Sequence, residues 1–558
     1  MKHLVIVLFI FGIISANDKS WFNESKFGIF IHFGLYSQIG YHEWAMDHFR
    51  ITPEKYEPFA NTFNPINFDS DSWAEIIKSS GAKYAVLTSK HHDGFCLFHT
   101  DFTDYNIQMT PFNRNIVKEF GSSLKEQNLK FGIYYSVMDW HHPDYLPRRD
   151  FDQRPIENYN IDNYRTYMKN QISELLRYNP DLFWFDGDWE NTLDSISSYK
   201  IREMIIDSNQ NILLNNRLSS YVNDLADYIT PENAPPRDKI VKDGKHQNFE
   251  LCHTIHHCWG YDPNSKEFLT VKDILILLSD AASNGGNLLL NIAPKPDGSI
   301  DQNFVIRLKE VGNWLAKNGS SIYGTTAGIL PKGLFYGSDT IKEDSLFINL
   351  YGMPVDNKLF ISSFSTKIKG VFINNESLNF TQNDFFTKID LPKYKYDDLL
   401  SLKIVFDGTP KIRNIYPKYS GDFYLDGGNF IIKENTAKNP KQFFYYDKTV
   451  IYDICDSLQN LESTFNLKEN GNYKIEIFGV QRYELKGDIT LNLTINDNSF
   501  PIILPERERW LNDNRACKLP FYTGVFHLNK GLNNISLKNI SDKLYSNFTF
   551  YGIKLSKL

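Results

Sequence analysis

The sequence predicts an α/β protein with a (β/α)8-like barrel of the TIM type, followed by C-terminal β-sandwich domains. Three observations predict it. From about residue 26 to 318, short apolar runs alternate with amphipathic helices. No Gly-rich phosphate loop follows the first run, as a doubly wound open sheet would favour. After Gly319 helical periodicity stops, and short β-type segments appear between Gly, Asn, Asp and Pro turns. A chain of 558 residues exceeds one hydrophobic core. The expected division is a signal peptide at 1–16, the barrel at 17–325, a β-sandwich at 326–430 and a second β-rich domain at 431–558.

The N-terminus starts with Met1, Lys2 and His3, continues as an apolar stretch from Leu4 to Ile14, and breaks at Ser15-Ala16 into Asn17-Asp18-Lys19. A basic start, a short apolar core and a small residue before a polar break describe a secretory signal, too short to span a bilayer comfortably. Strand-like runs follow at Phe27–His32, Tyr84–Ser89, Phe131–Val137, Leu182–Asp186, Ile212–Asn215, Asp227–Thr230 and Asn287–Ile292. They are apolar without strict alternation, as parallel strands covered on both faces should be. Helices are predicted at Asp71–Ser80, capped by Ser70 or Asp71 with Trp73, Ile76 and Ile77 on one face, and at Asn303–Lys317. An irregular or missing barrel helix is allowed. The tail reads as strands at Lys358–Ser363, Ile368–Ile373, Tyr473–Phe478, Ile489–Ile495 and Phe548–Leu555.

A net charge of −7 with no basic run gives no reason to expect nucleic acid or an anionic membrane surface as a partner. Eight Asn-X-Ser/Thr triplets (Asn23, Asn318, Asn375, Asn379, Asn492, Asn534, Asn539, Asn547) agree with passage through the secretory pathway. Of five cysteines, Cys252 and Cys258 are near enough in sequence to close a small loop, and Cys455 with Cys517 could staple the tail. Cys96 would be left over.

In a barrel enzyme the reacting residues sit at the C-terminal ends of the strands. Here the runs end in His32, in Lys90-His91-His92-Asp93, and in Trp184-Phe185-Asp186-Gly187-Asp188-Trp189. Tyr134-Tyr135 lies on the third, and Asn216-Arg217 and Thr230-Pro231-Glu232 follow the fifth and sixth. Histidines, carboxylates, an arginine and tryptophans thus converge without a phosphate cradle, which suits polyol recognition and carboxylate-driven glycoside cleavage. His141-His142, His253 and His256-His257 raise the alternative of a metal-dependent hydrolase. The close His-X-His on the first strand that such chemistry expects is missing, so no metal and no cofactor are expected.

The stretches KFGIFIHFGLYS (26–37), TSKHHDGFCLF (88–98), WFDGDW (184–189) and GGNLLLNIAPKPDG (285–298) resemble the signature segments of family 29 α-L-fucosidases. The resemblance covers about residues 20–325. It implies a retaining glycoside hydrolase that removes terminal α-L-fucose through a covalent fucosyl-enzyme, with fucosylated glycans or glycoproteins as partners. It further implies Asp186 as nucleophile. For the acid/base it leaves two positions, Glu232 in a Thr-X-Glu context and Glu250 ahead of a Cys-containing loop. Glu232 is favoured here because a strand-end carboxylate is better fixed than one on a loop. His32, Glu43, Trp44, His91, His92, Tyr134, Trp184 and Arg217 match sugar-binding positions. The second β-rich domain would be carbohydrate-binding-like, and the location secreted or lysosomal. A catalytically inactive fucose-binding protein on the same fold is the alternative. Homo-oligomerisation is left open.

Overall fold

A computed structural model describes residues 19–558 except 156–158, 191, 237–238, 243–244, 332–333, 355, 384–385, 394–398, 414–417, 427–429, 434–440, 446–447, 455–459, 482–487, 505–519 and 541–547. The expected signal peptide, Asn547, Cys455 and Cys517 lie outside the described residues. Seven parallel strands form one sheet: β1 (Phe27–Ile31), β2 (Tyr84–Lys90), β3 (Lys130–Ser136), β4 (Leu182–Asp186), β5 (Leu213–Leu214), β6 (Glu250–Thr254) and β7 (Asn287–Ile292). Their order is β5-β4-β3-β2-β1-β7-β6, so the first and last strands of the set are neighbours, as winding around a barrel requires.

The two edges, β5 and β6, are joined by residues 227–233. Asp227 N donates to Leu214 O at 2.9 Å on one side. On the other, Glu250 N donates to Ile229 O at 2.8 Å and Cys252 N to Pro231 O at 3.1 Å. This segment meets its neighbours only through isolated bridges (Asn215 to Tyr228, Ile229 to Phe249, Glu232 to Cys252) and acts as the eighth stave.

Six helices cover the outside: α1 (Ser70–Ser79), α2 (Ile116–Glu126), α3 (Ile161–Leu176), α4 (Ser195–Ser208), α5 (Val271–Ser283) and α6 (Gln302–Asn318). The expected first helix starts one residue earlier than predicted, because Asp69 supplies the cap by accepting from Asp71 N and Ser72 N. Among the described residues no α-helix stands between β5 and β6; a 3-10 turn at Ser220–Leu225 and the paired short strands Val241–Lys242 and Lys245–His246 take that place. Burial separates the two sides of the sheet. Outward residues such as Ile29, Leu87 and Ile133 join the helix-facing core, whereas Phe30, Val86, Tyr134, Trp184 and Leu289 fill the barrel. Phe22, from a turn of helix before β1, closes the bottom against Tyr84 and Tyr228.

Beyond the barrel, strands from Thr326 to Phe406 make a six-stranded and a three-stranded antiparallel sheet around a second apolar core. Strands from Lys418 to Lys557 make two further six-stranded sheets around a third. Ile489–Ile495 alternates buried and half-buried residues, the mark of a sheet with one covered face. Trp314 of α6 donates from Nε1 to Leu399 O at 3.0 Å, which ties the barrel to the strands that follow it.

Candidate active site

A cleft of about 280 Å³ opens at the C-terminal ends of the barrel strands. Phe30 and His32, two residues apart on β1, point inward together. The loop after β1 adds His42, Glu43 and Trp44; the turn after β2 adds His91 and His92; β3 adds Tyr134; β4 adds Trp184 and Asp186. Trp189, Arg217, Glu232, Cys252 and Trp259 complete the lining. Gly187 lets the chain turn directly after Asp186. Its φ is +91°, and a Cβ there would lie 2.7 Å from Met138 Cγ.

Asp186 is 9% exposed and gathers the polar groups of the cleft. Tyr134 OH donates to its Oδ2 at 3.1 Å and Arg217 Nη1 to its Oδ1 at 3.0 Å, while His92 Nε2 lies 3.7 Å from Oδ2. The same guanidinium donates from Nη2 to Glu232 Oε2 at 3.1 Å and to Thr230 O at 2.9 Å. One fork therefore spans two carboxylates, whose nearest oxygens are roughly 8 Å apart or less by two hydrogen-bond lengths plus the fork width. Glu232 has a side chain 37% exposed, at the mouth; Asp186 lies deeper.

Burial holds the three histidines neutral: His32 is pushed down to about 4, His92 to about 3, and His91 well below its ordinary value. Their tautomers follow from the hydrogen bonds. Nδ1 of His32 faces Asn291 Oδ1 at 2.7 Å, and Nδ1 of His92 faces Ser136 Oγ at 2.7 Å. Asn291 Nδ2 already donates to Trp259 O, and Ser136 Oγ donates to Met138 O. Both imidazoles thus carry their proton on Nδ1 and a lone pair on Nε2. Nδ1 of His91 is buried with no hydrogen-bond partner among the described residues, which costs about 1–3 kcal/mol. Glu43 joins two loops: its Oε2 accepts from Trp259 N at 3.1 Å and Gly260 N at 2.9 Å.

Glu250 is placed differently from the sequence expectation. It is the first residue of β6, not part of a loop, and is 0% exposed inside the barrel below the cleft. Tyr84 OH donates to its Oε2 at 2.5 Å and Trp184 Nε1 to its Oε1 at 2.8 Å. Burial raises it to about 7. Through Trp184 it bears on the cleft floor, since that indole stacks on Tyr134 (5.7 Å, 20°) and lies under the Arg217 guanidinium at 4.8 Å. The strand was missed because its inward positions are Glu250 and Cys252 instead of large aliphatics. Glu232, in turn, is not carried on a long strand. It follows Pro231 and is steadied by Arg217 and one bridge to Cys252.

Every other expected site residue lines the cleft. Sequence reasoning did not select Phe30, His42, Trp189, Cys252 or Trp259. Phe30 was accessible through the two-residue spacing from His32, and Trp189 stood within WFDGDW. His141 lies against Glu57 Oε2 at 3.1 Å and stacks on Tyr105, and with His142, His253, His256 and His257 it is absent from the lining. Cys96, Cys252 and Cys258 are all free and buried, which corrects the Cys252–Cys258 loop. Cys252 faces the barrel interior and Cys258 lies beyond the end of β6.

Comparison with known proteins agrees with this geometry. Residues 13–320 match the family model described as "Alpha-L-fucosidase". The chain is 30% identical to an α-L-fucosidase of Dictyostelium discoideum over 61% of this chain and 80% of that one. Among solved structures, it resembles α-L-fucosidase isoenzyme 1 from Paenibacillus thiaminolyticus (33% identity, TM-score 0.65, 70% of this chain and 98% of that one). It also resembles an α-fucosidase of Thermotoga maritima solved with a mechanism-based inhibitor (29% identity, TM-score 0.58, 69% of this chain and 96% of that one). With the barrel, the cleft and the signature segments in agreement, the chain belongs to the α-L-fucosidase family, family 29 of the glycoside hydrolases.

Proposed function

We propose that this enzyme is a retaining exo-α-L-fucosidase that removes terminal fucose from glycans or glycoproteins through a covalent intermediate. The observation that carries the reading is the Arg217 fork holding Asp186 and Glu232 at one mouth. Asp186 attacks the anomeric carbon while Glu232 gives its proton to the departing glycosidic oxygen. Glu232 then takes a proton from the water that releases fucose. Nε2 of His32 and of His92 accept from ring hydroxyls. Phe30 and Trp259, whose rings are 5.9 Å apart, offer an apolar wall for the sugar methyl group. Glu43 and Trp44 bound the opening. The mechanism-based inhibitor on the Thermotoga relative supports a covalent route. Proton NMR of the first fucose released tests retention: the α-anomer appears before mutarotation, and initial β-fucose would overturn the mechanism.

Glu250 is assigned a positioning part, holding Trp184 under Arg217 and Tyr134. Glu250→Gln is therefore expected to lower kcat about tenfold for good and poor leaving groups alike, without removing the acid limb of the pH profile. Stability gives a second readout. The folded carboxyl titrates near 7, above its ordinary 4.5, so its favourable contribution is complete below 4.5 and is lost as pH rises through 7. The Tm of Glu250→Gln minus that of wild type should accordingly rise between pH 4.5 and 7 and level off above.

The division into a barrel at 17–325 and β units at 326–430 and 431–558 is kept as part of the proposal, supported by three separate apolar cores. A secreted or lysosomal location is supported by the 1–16 leader pattern and by exposed sequon residues Asn23, Asn375, Asn379 and Asn534. No helix among the described residues is long and apolar enough to cross a membrane.

A further inference from the structure

We propose that His256, His257 and Cys258 form a binding site for a soft or borderline divalent metal, suited to Zn²⁺, that acts on the Trp259 wall of the sugar cleft. The three residues sit on the segment after β6, and their ligand atoms all lie within 4.8 Å of one another. His256 Nδ1 and Cys258 Sγ are 3.8 Å apart. Two such atoms sharing one tetrahedral zinc would be roughly 3.6 Å apart, from ordinary Zn–N and Zn–S lengths. Little movement is needed to close the pair on an ion.

The contacts already made by the two imidazoles are long ones that an ion would replace. Cys258 N donates to His256 Nδ1 at 3.3 Å, a weak bond to that nitrogen's lone pair that the metal would displace. Asp262, nearly buried, lies 3.1 Å from Nε2 of His257, and Nδ1 of the same ring faces Ser265 Oγ at 3.3 Å, a long contact that an ion would replace. Binding breaks the Cys258 S–H bond and forms a Zn–S bond, and the proton leaves to solvent. An N/N/S donor set selects zinc over magnesium or calcium.

The site is one residue from the cleft. Trp259 N and Gly260 N hold Glu43, Trp259 O accepts from Asn291 Nδ2 at 2.7 Å, and the indole packs on His32 with centroids 5.2 Å apart. Cys258 Sγ also reaches Gly260 O at 3.2 Å. A metal that takes Cys258 pulls on the two residues that anchor Glu43, so the bound ion should depress turnover.

The test is titration of the purified full-length enzyme with Zn²⁺ against a chromogenic chelator, with Co²⁺ as spectroscopic probe. Expected are one equivalent bound at micromolar or lower Kd, a thiolate-to-cobalt charge-transfer band, and at least a threefold fall in kcat/KM on zinc loading. Cys258→Ser and His256→Gln should each weaken binding tenfold or more, remove the charge-transfer band and abolish the inhibition, while turning over aryl fucoside normally without zinc. That metal-free activity shows the variants are folded. Zinc binding unchanged in both variants, or none in wild type below 100 µM, an upper bound chosen as about the weak end of specific sites, would overturn the site. Stoichiometric binding through Cys258 with unaltered kinetics would overturn its action on the cleft.

Discussion

Asp186→Ala should reduce turnover of an aryl α-L-fucoside by about 10⁴-fold or more, because it deletes the carboxylate proposed to form the covalent bond and not an accessory contact. Arg217 and Tyr134, which both donate to that carboxylate, would be left facing each other across the gap. Added azide should restore part of the rate by entering the vacated space and attacking the anomeric carbon directly. The product is then β-fucosyl azide, opposite in configuration to the substrate. Full activity in the variant would remove Asp186 from the mechanism, and azide rescue giving the α-azide would contradict its place on the face opposite the leaving group.

Glu232→Ala should divide substrates by leaving group. For a sugar aglycone, whose departing oxygen needs a proton, kcat/KM should fall by about 10² to 10⁴. For a 2,4-dinitrophenyl fucoside, which leaves unassisted, the first step should change little. The measurement is a plot of log(kcat/KM) against leaving-group pKa, steep in Glu232→Ala and parallel to wild type in Glu250→Gln. The reverse pattern would exchange the two roles. The geometry favours the first outcome: Glu232 is on the open side of Arg217, and Glu250 is sealed beneath Trp184.

Much of this was legible in the residues. Parallel barrel strands are apolar on both faces, and runs such as YAVLTS and NLLLNI declare themselves without partners. The strand ends follow by position, which brings His32, His91, His92, Asp186 and Arg217 to one mouth. Strand β6 was not legible, because a barrel interior tolerates polar residues where they can pair internally. Glu250 satisfies Tyr84 and Trp184, contacts that are 166 and 66 residues distant in sequence. Trp259 was hidden for a related reason: its backbone is held at the cleft by Glu43, on another loop, and by Asn291, on β7. Local pattern reports what a segment buries; it does not report which remote group satisfies it.

The eighth stave has a consequence for how such an enzyme can evolve. Asp186 ends a strand in continuous register with β3, so shifting it by one residue would turn the whole of β4 inside out. Glu232 stands on a seam fastened by single bridges. There an insertion or deletion slides the carboxylate along the rim without turning a whole strand over. The proposed nucleophile is thus the immovable member of the pair and the proposed proton donor the itinerant one. New aglycones can be accommodated by re-siting the donor along that loose edge while the bond-forming carboxylate keeps its address.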